Sequence, residues 1–164
     1  MHAAAESHGH PGHTVRAELL DRRLYRHAAI VDPGGDVARR RAAIDELKVT
    51  PQKILLTHGH IDHAGGAAEL SEVLSIPIEG PHEADAFLLS ALEAQGARFG
   101  MTDVRSVTPT RWLTEGETVD VGDVTFSVLL VPGHTPGHIV FVNAPSPSGS
   151  SLPLIPPISR SWSP

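Results

Sequence analysis

The amino-acid sequence predicts a mixed α/β fold, and three observations carry that prediction. Short apolar runs alternate with stretches of helical periodicity from Ala28 to about Gln95. Two β-type runs, Thr118–Val121 and Val124–Leu130, flank Gly122-Asp123, which reads as a hairpin turn. Two apolar runs end in clusters of His, Gly and Asp rather than in ordinary polar loops. Strand–helix alternation followed by a hairpin suits helices layered on a sheet.

Taken in order, Ala28–Val31 is a short apolar strand, and Asp36 is placed to cap a helix running to about Lys48. Ile44 and Leu47 supply part of its buried face. Lys53–Thr57 is the next strand. Ala64–Ser75 reads as a helix, with Ala67, Leu70, Val73 and Leu74 at helical spacing. Ile76–Ile78 is a further strand. Glu83–Gln95 is helical, with Ala86, Leu89 and Leu92 in contact positions and Gly96 ending it. After the hairpin, Ile139–Val142 is the last strand with a clear pattern.

Composition bounds the function classes. At 164 residues and 17.4 kDa the chain is one domain's worth, and 40% hydrophobic content suffices for a core. A net charge of −6 argues against a nucleic-acid-binding surface. No cysteine is present, so any metal must be held by imidazole and carboxylate. No secretory signal and no run of eighteen apolar residues is evident, which predicts a cytoplasmic location and no membrane partner.

The chemistry concentrates in Leu56-Thr57-His58-Gly59-His60-Ile61-Asp62-His63, directly after the apolar Lys53-Ile54-Leu55-Leu56. Core packing does not call for such a cluster. Nitrogen and oxygen donors at a strand end suit a borderline ion such as zinc. His58 and His60 leave the same side of an extended backbone, while Asp62 and His63 point to a second position nearby. Gly59 lets the chain bend between ligands, and Gly65-Gly66 permits close backbone approach where a helix starts.

A second cluster, Val131-Pro132-Gly133-His134-Thr135-Pro136-Gly137-His138, follows the apolar Thr125–Leu130 run. Its Pro-Gly turns make a tight loop suited to aiming a ligand. Asp32, before Pro33-Gly34-Gly35, is open to two readings: a plain Asp-Pro-Gly turn, or a hydrogen-bonding support for the cluster.

The pattern T-H-G-H-I-D-H-A-G-G with the later P-G-H-T-P-G-H resembles the metallo-β-lactamase superfamily, and within it the glyoxalase II-like hydroxyacylglutathione hydrolases. The segments Ala29–Asp36, Ile78–Pro81 and Leu113–Val119 share in that resemblance, which runs from about Ala28 to about Asn143. It implies an αββα sandwich with a metal site at one edge of the paired sheets. His58, His60 and His134 would bind a first metal, and Asp62 and His63 a second. His138 would have a structural or supporting role, and Asp32 would support the site by hydrogen bonding. The resemblance implies zinc, as one or two ions, with iron or manganese as alternatives. The implied activity is hydrolysis of a glutathione thioester such as S-D-lactoylglutathione by a metal-bound hydroxide, with Asp62 orienting it and accepting its proton. Alternatives are a non-catalytic or weakly active metal-binding fragment, or another superfamily activity such as persulfide dioxygenase or lactamase.

The departures from the family pattern also matter. The family bridges its metals with an Asp beyond the second histidine motif and completes the second site with a later His, yet no Asp or His follows Asn143. The expected organisation is therefore an irregular His-rich tail over 1–27, a partial domain over 28–143 and a Ser/Pro-rich, disordered tail over 144–164. His2, His8, His10 and His13 make the first tail either a flexible segment or an accessory metal tract. The sandwich is thus expected to be incomplete at both ends, truncated or displaced from an ancestral reading frame. His58, His60 and His134 suffice for one zinc, whereas Asp62 and His63 alone are too few for a second.

Overall fold

The computed structural model describes residues 27–143; the expectations for the two tails lie outside the described residues, except that His27 opens the first strand. The architecture is mixed α/β, as two three-stranded sheets with helices on one side. The first sheet is parallel, in the order β1 (His27–Val31), β2 (Thr50–Leu55), β3 (Ile78–Glu79). The second is antiparallel, in the order β4 (Thr118–Val121), β5 (Val124–Leu130), β6 (Ile139–Asn143).

Strand alternation divides the core between two faces of the first sheet. Ile54 faces the helices, in a cluster with Val37, Ala67, Leu70, Leu89, Leu92 and others. Leu55, the next residue, faces the second sheet and meets Leu113, Val119, Val128 and Ile139. The helical layer comprises α1 (Val37–Leu47), α2 (Ile61–Ala64), α3 (Ala67–Leu74), α4 (Ala86–Ser90) and α5 (Leu92–Arg98). Among the described residues no helix contributes to the cluster between the sheets, so the layers present are αββ. No helix of the described residues is long and apolar enough to cross a membrane.

Local chemistry sets most boundaries. Asp36 caps α1 by accepting from the Arg39 N–H at 3.2 Å, and Lys48 ends it in the left-handed conformation. The hairpin turns at Gly122, whose φ is +57°.

Four expectations need correction. The strand expected over 53–57 occupies Thr50–Leu55, because pairing with β1 starts at Thr50 and the Thr57 N–H turns away to the Asp32 carboxylate. The short strand expected over 76–78 is Ile78–Glu79, where Ile54 and Leu55 offer partners. The helix expected over 64–75 is two helices, α2 and α3, since the Gly66 N–H leaves the helical ladder for the Pro33 carbonyl at 2.7 Å. The helix expected over 83–95 is a 3-10 turn (Glu83–Asp85) followed by α4 and α5. Gly96 lies within α5, where a β-carbon would come 2.9 Å from the Met101 carbonyl oxygen and from Val104 Cβ.

Candidate metal centre

Both histidine loops emerge at the same end of the sheets. The first leaves β2 and runs straight into α2, for which His60 is the N-cap residue. The second joins β5 to β6. They are stitched together where the Ile139 N–H donates to the Thr57 carbonyl at 2.9 Å.

This brings His58, His60 and His134 together, with ligand atoms lying within 4.8 Å of one another. His60 Nδ1 and His134 Nε2 are 3.1 Å apart. Two nitrogens at about 2.0–2.1 Å from one tetrahedral ion would sit about 3.3 Å apart, so that separation already matches a shared ion.

His58 is the most constrained ligand, only 3% exposed at the end of the first sheet's central strand. Thr57 Oγ1 donates to Asp32 Oδ2 at 2.7 Å and lies 3.0 Å from His58 Nδ1. A hydroxyl has one proton to donate, so toward His58 it accepts, and Nδ1 carries the ring's hydrogen. That leaves Nε2 with its lone pair free. Two buried side-chain polar atoms among the described residues have no hydrogen-bond partner, His58 Nε2 and Glu79 Oε2. Glu79 Oε2 has the Arg111 guanidinium 3.5 Å away, while His58 Nε2 faces only other imidazoles. A buried, unpaired lone pair aimed at two further imidazoles fits a divalent metal ion.

Electrostatics favour the neutral form of His58, His60 and His138. Burial, then the neighbouring His63, His138, His60 and His134, pushes the His58 pKa down to about 2. Burial and His134 lower the pKa values of His60 and His138. His63 goes the other way: burial opposes its charge, but the hydrogen bond and charge of Asp32, helped by Asp62, outweigh it and raise its pKa.

The remaining residues singled out from the sequence are placed as follows. Asp32 accepts from the Thr57 N–H at 2.8 Å, from Thr57 Oγ1, and lies 3.1 Å from His63 Nδ1. It also forms a second possible donor group with His58 and His63. Asp62 joins neither donor group; its side chain is 74% exposed and stands 3.5 Å from His63 Nε2. His138 is half-buried with its ring centre 4.9 Å from that of His58, outside both donor groups.

Of the glycines in the first loop, Gly59 serves a different purpose from the one expected, while Gly66 serves the expected one. Gly59 is not in a left-handed conformation; a β-carbon there would meet Leu88 Cβ at 2.7 Å. Gly66 does allow close approach, since its β-carbon would stand 2.7 Å from the Pro33 carbonyl oxygen.

One residue escaped the sequence reading. Asp85 is fully buried and accepts hydrogen bonds from both loops, from Gly59, Thr135 and Gly137. A signal was present: it stands four residues before Leu89 and seven before Leu92, on the apolar face of a predicted helix where an acid has no ordinary place.

Comparison with known proteins is consistent with this geometry. The family model of the metallo-beta-lactamase superfamily matches residues 26–144. The hydroxyacylglutathione hydrolase GloC of Haemophilus influenzae is 42% identical over 118 residues, covering 71% of this chain and 56% of that protein. A hydroxyacylglutathione hydrolase of Pectobacterium atrosepticum is 38% identical over 117 residues, 71% of this chain and 38% of its own length. The chain thus spans about half, or less, of these curated relatives. Among solved structures, the BLEG-1 B3 metallo-beta-lactamase superposes with a TM-score of 0.61 at 33% identity, covering 72% of this chain and 58% of that one. A protein crystallised in a di-iron-bound form superposes with a TM-score of 0.60 at 34% identity, covering 68% and 54%.

Proposed function

We propose that this chain, which belongs to the metallo-β-lactamase superfamily, is a metal-dependent hydrolase of the glyoxalase II type that acts on a glutathione thioester such as S-D-lactoylglutathione. The observation that carries the reading is the convergence of His58, His60 and His134 around the unpaired Nε2 of His58. His58, His60 and His134 would hold a divalent ion, zinc or iron by the chemistry of the donors. Such an ion would supply Lewis acidity and lower the pKa of a coordinated water toward neutrality. Asp62 stands exposed one residue from His63, free to accept a proton from the attacking water. Asp32 orients His58 through Thr57, and His63 directly. The names of the relatives support the thioester class, and the site's chemistry supports hydrolysis rather than any one acyl group.

A single ion is the stoichiometry we favour for the described residues. His58 belongs to both possible donor groups but has one free ring nitrogen, and Asp62 remains outside both. One lone pair cannot serve two ions. A non-catalytic, metal-holding role is the second reading, favoured by the position of Asp62 outside both donor groups.

The test is metal retention and thioester hydrolysis in parallel. After dialysis the wild-type chain should keep about one ion that the His60→Ala chain loses, with loss of any thioester hydrolysis. Equal retention in both chains would sink the ligand assignment. A metal-loaded chain inert toward S-D-lactoylglutathione would retire the thioesterase reading and leave the metal-holding one.

A further inference from the structure

Besides the His60–His134 contact, four hydrogen bonds bridge the two histidine loops or draw them onto the same support, and three converge on one side chain. Asp85, at the end of the 3-10 turn, has no exposure to solvent. Its Oδ2 accepts from the Gly59 N–H at 2.9 Å and from Thr135 Oγ1 at 2.7 Å. Its Oδ1 accepts from the Gly137 N–H at 2.6 Å. Gly59 lies between His58 and His60, whereas Thr135 and Gly137 lie between His134 and His138. The fourth contact, Ile139 N–H to the Thr57 carbonyl, joins the loop bases rather than their ligand-bearing turns.

We propose that Asp85 is the positioning residue of the metal centre, a buried carboxylate that sets the separation of the two ligand loops by gripping the backbone between each pair of histidines. The inference rests on the metal reading of His58, His60 and His134.

Two further features support it. Among the described residues Asp85 has no ion-pair partner. A buried carboxylate without a cation costs several kcal/mol unless donors compensate, so a merely space-filling role is an expensive use of this position. Both loops are pulled so close that Gly59 and Gly137 have no room for a side chain. A β-carbon on Gly137 would lie 2.8 Å from Asp85 Cγ and 2.7 Å from the Asp85 backbone nitrogen.

Asp85→Asn is the sharp variant. An amide has one acceptor oxygen, so with that oxygen toward Gly59 and Thr135 its NH2 must face the Gly137 N–H, donor against donor. Thr135→Val is the milder one, removing a single donor at nearly constant shape. Val107→Ala, buried in the helix-side cluster, supplies a stability control away from both loops.

Co2+ affinity by chelator competition, the Co2+ visible d–d spectrum and the melting temperature of the metal-free chain would be measured for each, with His60→Ala as the blank for other histidines. Asp85→Asn should weaken Co2+ binding about 10- to 100-fold and alter the d–d bands. Thr135→Val should fall between it and wild type. Val107→Ala should lower the melting temperature while leaving affinity and spectrum unchanged. Wild-type Co2+ affinity and spectrum in Asp85→Asn would overturn the positioning role, as would an equal loss of affinity in Val107→Ala. If Asp85→Asn does not fold, Thr135→Val decides by the same two readouts. Wild-type chain that binds no more Co2+ than His60→Ala overturns the underlying metal reading instead.

Discussion

The two histidine loops reach the same point by different means. The first is held by its own surroundings. It leaves a central strand, caps a helix with His60, and buries His58 to 3% exposure. Asp32 and the Pro33–Gly35 turn press against it from the next strand. The second loop is closed at its base, where the Val131 N–H donates to the His138 carbonyl at 2.8 Å, but its first half stands in solvent. Val131 to His134 are all exposed, and anchorage to a buried side chain begins at Thr135 and Gly137, on Asp85. One set of donors is preorganised by the strand, helix and Asp32 around it as well as by Asp85, whereas the other leans on Asp85 and on backbone bonds at its base. A metal site assembled this way keeps a rigid half and an adjustable half.

The largest test of that contrast compares one glycine from each region. A β-carbon on Gly34 would stand 1.7 Å from the Asp62 backbone oxygen, so Gly34→Ala forces the first loop to move. A β-carbon on Gly133 meets nothing within 4 Å, and only its φ of +155° resists substitution. We expect Gly34→Ala to cost about 3 kcal/mol in urea unfolding and Gly133→Ala about 1 kcal/mol or less. Equal costs would erase the distinction between the loops.

Asp32→Asn comes next. The Thr57 N–H, the Thr57 hydroxyl and His63 all use the Asp32 carboxylate. Losing that acceptor should cost about 1–3 kcal/mol and weaken metal binding roughly tenfold or more, because His58 loses the lock on its tautomer. Unchanged metal affinity would mean that burial alone orients the ring.

The smallest effect concerns the brace behind the second loop. Glu115 accepts from the Leu130 N–H at the end of β5. Two residues on, Glu117 accepts from Arg111 at 2.7 Å and from the Thr114 N–H and hydroxyl at 2.6 and 2.9 Å. The Arg111 hydrogen bond, then those from Thr114, hold the Glu117 pKa at about 2 against an ordinary 4.5. A depressed carboxylate contributes its stability above the unfolded value and loses it as pH falls through the folded one. The stability gap between wild type and Glu117→Gln should therefore be present above about pH 4.5 and shrink toward pH 2. Solvent screening keeps it below about 1 kcal/mol. A gap independent of pH would show that charge is not what Glu117 contributes.

Much of the first loop was legible because its information is local. The apolar run Ile54-Leu55-Leu56 and the closely spaced donors after it act over a few residues. The hairpin at Gly122 and the Asp36 cap were readable for the same reason. Helix continuity was not. Gly65-Gly66 looked like the start of one helix, but whether the Gly66 N–H stays in the ladder depends on the Pro33 carbonyl, many residues away. Asp62 shared the spacing of a ligand, yet the orientation of α2 turns its side chain to solvent.

By itself, then, the sequence determined which donors exist and which strands carry them, since side-chain chemistry and periodicity are written residue by residue. The tertiary structure alone decided which donors meet. His134 comes within 3.1 Å of His60 only because two sheets stack and Asp85 draws the loops together, and contacts between distant segments leave no mark in local spacing.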